Sequence, residues 1–198
     1  MLSNPDAKRV AAIWEVLGER IATRRDGLVS QATWLMNVAL TKEPPEPQRF
    51  ALLLDYFPAS AGRRSSAFVP GHRFAGELAF YPARLPLRAV IVSRDDLPDA
   101  PHGWPAAPRD AFAQHAALAL SAPWQAEFPL LLPEGRIGTD PRGRAWWRSA
   151  HGDIAPLRDP PPPLALGATI ETAVGTWDGM RLSLLAARSN WGRLGFDA

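Results

Sequence analysis

Four histidines, His72, His102, His115 and His151, are the first residues to weigh for chemistry. No two of them stand one helical turn apart beside a carboxylate, so the zinc-protease pattern is absent. The chain has no cysteine. That removes disulfides, thiol nucleophiles, Cys-ligated zinc and iron–sulfur clusters together. Neither a Gly-x-Ser-x-Gly elbow nor a glycine-rich phosphate loop occurs. Ser65 and Ser66 lie in a polar stretch with no base close in sequence and read as turn residues. Asp95, Asp96 and Asp99 read as solvated or capping charge in a loop rather than as a metal site. The sequence therefore assigns no catalytic, cofactor-binding or metal-ligating residue and points to a protein that is not an enzyme.

Two clusters remain as candidate binding surfaces. One is the run from Glu77 to Arg88, in which Tyr81, Arg84 and Arg88 accompany two prolines. Its arginines can hold an anionic group or a peptide, or simply pair with Glu77 across neighbouring strands. The other runs from Arg136 through Arg142, Arg144, Trp146 and Trp147 to Arg148. Arginine interleaved with aromatic rings is the pattern that follows phosphates and stacks bases. Trp146 and Trp147 must face opposite ways on a strand, so one of them belongs to the core. The nucleic-acid reading uses Arg142, Arg144, Trp147 and Arg148.

The elements that would position these clusters follow from periodicity. Asn4, Pro5 and Asp6 have the chemistry of a helix start. Val10, Ile13, Trp14, Leu17 and Ile21 then share one helical face, and Asp26-Gly27 follows as a stop, so an N-terminal helix is expected. Residues 29–40 and 49–57 alternate as an antiparallel pair of strands around a Pro-rich connector. Strands are expected at 74–81 and 87–94, a long loop at 95–108, and a mid-chain helix at 109–120 with Phe112, Ala116 and Ala119 on one face. Beyond residue 125 only strands and turns are expected, with polyproline geometry at Pro160–Pro163. Residues 144–149 and 154–157 read as a hairpin. So do 169–177 and 180–187, joined by Asp178-Gly179 in a two-residue type I′ turn. No internal repeat is visible. The expected class is α+β, mostly short antiparallel strands with an N-terminal and a mid-chain helix. A boundary near residue 122 would separate a helix-plus-sheet unit, 1–122, from a small all-β unit, 123–198.

Composition sets the remaining bounds. With 46% hydrophobic and 21% charged residues, the 198-residue chain can bury a core and is not disordered. A net charge of +2 creates no field strong enough for a general nucleic-acid coat or a polybasic membrane binder. All of the 22 basic residues except Lys8 and Lys42 are arginine. The 21 prolines favour short strands and stiff loops, and the eight tryptophans are expected mostly in the core. No apolar run is long enough to span a membrane and residues 1–6 do not resemble a signal peptide, so a cytoplasmic protein is expected.

Several stretches together resemble the C-terminal region of bacterial SWIM zinc-finger family proteins. They are Ala11–Gly18, Leu28 with Thr33-Trp34-Leu35, Phe50–Phe57, Gly76–Pro82 with Leu85–Ala89, and Ala122-Pro123-Trp124. Trp146-Trp147 with Ile154–Leu157, and Gly175–Gly179 with Leu182–Leu184, extend the likeness to the end of the chain. The family's zinc finger of Cys-x-Cys and Cys-x-His has no counterpart here, so zinc binding is not carried over. The resemblance implies an accessory or adaptor subunit whose partner is a MoxR-type AAA ATPase or a von Willebrand A-domain protein. A non-enzymatic interaction module is thus the first expectation. A nucleic-acid-binding module using the Arg/Trp-rich β surface is the alternative.

Overall fold

The computed structural model describes residues 7–24, 26–38, 49–61, 68–97 and 103–196. The expected N-terminal helix is a strand, β1 (Arg9–Thr23). Its apolar residues satisfy two periods at once. Val10, Ile13, Trp14, Leu17 and Ile21 fit a helix, but Val10, Ala12, Trp14 and Val16 fit a strand, and it is this second set that enters the core. Pairing on both edges decides between them. β1 is bonded along one edge to β2 (Leu28–Asn37) and along the other to β4 (Arg73–Phe80). Trp14 lies where the two ladders overlap, opposite both Asn37 and Phe74. The proposed cap, Asn4 to Asp6, lies outside the described residues.

The chain divides into two compact units, Met1–Pro105 and Ala106–Ala198. In the first, β3 (Phe50–Pro58) pairs with β2, and β5 (Ala89–Asp96) pairs with β4, giving the order β3-β2-β1-β4-β5 with every neighbour antiparallel. The ends of this sheet meet. Leu52 and Arg88 form a parallel bridge, and the Leu52 amide donates to the Leu87 carbonyl at 2.8 Å. Trp14, Leu35, Leu53, Phe74, Leu78 and Phe80 fill the enclosed core.

The second unit starts with α1 (Ala111–Ser121), the expected mid-chain helix. It buries Ala111 and His115, with Phe112 edge-on to Trp177 at 5.1 Å. Ala116, expected on that face, is exposed. The sheet comprises β6 (Phe128–Leu132), β7 (Gly135–Thr139), β8 (Ala145–Ser149), β9 (Ile154–Pro156), β10 (Ile170–Trp177), β11 (Leu182–Ser189) and β12 (Gly192–Gly195). A short helix, α2 (Pro163–Leu166), separates β9 from β10 where only strand and turn were expected. β6 and β7 behave as one strand bent at Pro133-Glu134. The first half pairs with β10 and the second with β8. Here too the sheet closes: Leu157, just after β9, forms a parallel bridge with Leu182, the first residue of β11.

The α+β expectation is therefore corrected to a mostly β architecture, the described residues forming two sheets with one α-helix of 11 residues and one of four. Both units share a connectivity. A first strand pairs with the second and fourth, the third follows the second, and the fifth returns beside the third in parallel. That is the connectivity of the OB-type barrel. It arises twice in a sequence that shows no internal repeat.

Trp14, Trp34 and Trp147 are buried, whereas Trp124 and Trp191 are exposed, so core duty falls to fewer of the tryptophans than expected. The 169–187 hairpin is present, but its turn differs. The last cross-strand pair is Trp177 with Leu182, leaving a four-residue loop. Only Gly179 has positive φ, at 91°, so the turn is not type I′.

Candidate functional site

The site begins with two loops of the second unit, each knotted by an aspartate. In the β7–β8 loop, one carboxylate oxygen of Asp140 accepts the amides of Arg142 and Arg144, both at 2.9 Å, and the other accepts Nε of Arg144 at 2.7 Å. The Arg144 amide above all holds this carboxyl below its ordinary pKa, and with the Arg144 guanidinium and the Arg142 amide it outweighs the opposing effect of desolvation. In the β10–β11 loop, Asp178 accepts the amides of Met180 at 2.8 Å and Arg181 at 2.6 Å, and pairs with Arg158. Desolvation pushes the Asp178 carboxyl up, but the two amides and Arg158 outweigh it and bring it down. Gly143 and Gly179 supply the positive φ that each knot needs.

Between the loops lies a groove of about 450 Å³, lined by Arg144, Trp146, Pro156, Leu157, Met180 and Arg181 among others. Trp146 forms part of its apolar lining. On its outer face the ring has Gly138 as one cross-strand neighbour and Pro156 as the other, and Gly138 leaves it open on one side. The Arg144 guanidinium stands 5.9 Å from the ring centroid. The next row of the same face sets Arg136 directly opposite Arg148, with Ile154 beyond. Both arginines are exposed, and neither has an ion-pair partner among the described residues. Two like charges facing each other across a ladder repel, and a bound anion would relieve the repulsion.

Of the residues singled out by sequence, Arg144 lines the groove, Arg142 stands in the same β7–β8 loop, and Arg148 lies on the same outer face of β8. Trp147 is not part of the surface. It is fully buried, and a Cβ on Gly135 would stand 2.5 Å from its ring. Trp146 is the aromatic that faces out. The sequence carried the signal, because Arg144, Trp146 and Arg148 share a parity and two exposed charges mark that parity as solvent-facing. Arg136, Arg158 and Arg181 join the surface through pairing and turn geometry. Tyr81, Arg84 and Arg88 belong to the first unit, in its β4–β5 loop, where the Arg88 guanidinium stands 4.8 Å from the Tyr81 ring. Glu77 pairs with Arg9 at 3.4 Å instead of with Arg84 or Arg88.

The remaining titratable residues are dispersed. His115 is buried, His151 is exposed, and His72 lies 3.5 Å from Arg94. His102, Ser65, Ser66 and Asp99 lie outside the described residues. Asp96 pairs with Arg94 at 2.9 Å. Among the described residues no group of three His, Asp or Glu side chains could hold a metal ion. No helix among them is long and apolar enough to cross a membrane. No known protein family, curated protein or solved structure matches the chain.

Proposed function

We propose that the protein is a cytoplasmic, non-enzymatic binding module that takes single-stranded nucleic acid across the outer face of β7, β8 and β9. The observation that carries this reading is the pairing of Arg136 with Arg148 one row from the outward Trp146. Unpaired guanidinium groups meet phosphates, and an open indole stacks a base. In OB-type barrels the second and third strands and the loops corresponding to β7–β8 and β10–β11 are where oligonucleotides and oligosaccharides bind. The knotted loops keep that rim in place without a ligand, which lowers the cost of ordering on binding.

Fluorescence anisotropy of a labelled mixed-sequence oligonucleotide, titrated with the full chain at several salt concentrations, tests the reading. Binding should weaken steeply as salt rises, because each phosphate contact releases a counterion. Trp146→Ala and Arg148→Ala should each weaken it. Absence of binding at low salt, or affinity unchanged by both substitutions, would overturn it.

A protein-binding adaptor is the second reading. Ile154 and Met180 favour it, standing 60% and 76% exposed on this face and its rim. The resemblance to SWIM-family proteins supports a MoxR-type ATPase or a von Willebrand A-domain protein as its partner. Co-purification with such a partner that Met180→Ser abolishes, without oligonucleotide binding, would favour this reading over the first.

A further inference from the structure

We infer that the first unit carries a second binding face of the same kind, so that the chain offers two sites for single-stranded nucleic acid. The inference rests on the reading of the second unit and extends it to residues that reading does not use.

The argument starts from shared construction. In both units the fifth strand begins at a parallel bridge to the third, Leu52 with Arg88 and Leu157 with Leu182. In both, a glycine of the fourth strand lets the fifth come close. A Cβ on Gly76 would lie 2.5 Å from the Ser93 carbonyl, and a Cβ on Gly175 would lie 2.7 Å from that of Ser183. A ladder irregularity adjoins each glycine. With β6 and β7 taken as one strand and β12 as an addition to the second unit, the five remaining strands correspond in order, and the counterpart of the β7–β8–β9 face is the outer face of β1, β2 and β3.

That face repeats the chemistry with different residues. Leu35, Ala51 and Leu53 point into the core, so Leu52, Leu54 and Tyr56 lie on the opposite side. Tyr56 is 43% exposed, and the Arg24 guanidinium of the β1–β2 loop stands 5.6 Å from its ring centroid. The contact resembles that of Arg144 in the β7–β8 loop with Trp146, although Tyr56 stands on the third strand of its unit and Trp146 on the second. Arg24 is shared with Asp26 at 3.4 Å, as Arg144 is with Asp140. On the other flank the β4–β5 loop takes the place of the Met180-Arg181 loop. It holds Tyr81, Arg84 and Arg88, and Arg84 is exposed with no ion-pair partner among the described residues. Leu52 and Leu54, both partly buried, lie along β3 between Tyr56 and the bridge at Arg88, and because Trp34 opposite Leu52 on β2 is buried, the accessible strip follows β3. An apolar and aromatic strip between arginine-bearing loops suits stacked bases with flanking phosphates. A peptide would need no such charge on both rims.

Isothermal titration of the full chain with an oligonucleotide of about eight nucleotides, within the span of one OB barrel, counts the sites. The parent should bind two per chain. Trp146→Ala with Arg148→Ala should leave one, held by the first unit. Tyr56→Ala with Arg84→Ala should leave the other, and the combination none. Losing a stacking partner should weaken the affected site by roughly ten-fold or more, and Tyr56→Phe should restore it. These side chains face outward, so circular dichroism should show an unchanged fold. One site per chain, insensitive to Tyr56→Ala and lost in Trp146→Ala, would overturn the second site and leave the first standing. No binding by the parent would overturn both.

Discussion

Arg73 donates from Nη2 to Oε2 of Glu15 at 2.7 Å, and Glu15 is only 1% exposed. Nε of Arg73 reaches the same oxygen at 3.0 Å, and the Trp104 indole N–H donates to it at 2.9 Å. Glu15 and Arg73 are opposite one another on β1 and β4, where the two strands separate toward their different neighbours. The acid thus ties β1, β4 and the segment around Trp104 at one point.

Removing the acid should be costly. Glu15→Ala leaves the largely buried Arg73 guanidinium without its counter-charge, and breaking such a pair from one side costs about 3–5 kcal/mol. Urea unfolding should show that loss. Glu15→Gln keeps an acceptor and should fall between the variant and the parent. Stability equal to the parent in Glu15→Ala would show that the pair is not structural.

Trp14 is fully buried, 6.3 Å from the Phe80 ring, with its indole donating to the Gly76 carbonyl at 3.2 Å. Emptying that site in Trp14→Ala should cost about 3–5 kcal/mol. Trp14→Phe should cost less, since the ring packing survives and only the hydrogen bond and part of the volume are lost. Denaturant midpoints for the pair would order them. An equal effect from both would place the stabilisation in the hydrogen bond.

His115 should make stability depend on pH. Its ring is buried edge-on to Phe128 at 5.0 Å and near Trp177 at 6.4 Å. Desolvation there lowers its pKa below the ordinary value. The folded state therefore binds fewer protons than the unfolded state. The stabilisation is complete above the unfolded pKa of about 6.5 and is lost as pH falls below it, until the folded pKa is passed. The melting temperature of the parent should drop between pH 7 and 5, and that of His115→Phe should drop less. The lowered carboxyls of Asp140 and Asp178 act further down, near and below the ordinary carboxylate range, so they do not obscure this window. Parallel profiles for parent and variant would remove His115 as the cause.

Strands with a single clear period were legible in the sequence. β2, β3, β4, β5, β8 and β9 lie within a few residues of expectation because alternation and prolines bound them. β1 was not, since its apolar residues fit 3.6 and 2 equally well and only the partners on both edges resolve the tie. The four-residue loop after Trp177 was misread for a related reason. Asp178-Gly179 suggests a two-residue turn, but the Asp178 side chain captures the amides of Met180 and Arg181 and lengthens the loop. At the candidate site the arginines were legible and the outward tryptophan was not, although the parity of Arg144 and Arg148 contained the answer. The likeness of the two barrels could not be read at all. It resides in strand order and in two parallel bridges, which unlike side chains can build equally well.

Gly76 and Gly175 test that shared construction by themselves. Neither has positive φ, so alanine is not excluded by backbone strain. What excludes it is the approach of the fifth strand, at 2.5 Å to Ser93 O and 2.7 Å to Ser183 O. Those are backbone atoms held in a ladder and cannot swing aside as a side chain would. Gly76→Ala must push β5 from β4, and Gly175→Ala must push β11 from β10. Overpacking of this kind costs about 1–3 kcal/mol. Gly138→Ala is the control, because a Cβ there meets nothing within 4 Å. It should leave stability nearly unchanged. Thermal unfolding of the three variants should therefore separate them, with Gly76→Ala and Gly175→Ala lowered and Gly138→Ala at the parent value. Parent-like melting in the first two would mean that the fourth and fifth strands of each barrel have room to part, and the argument for matched construction would lose its steric basis.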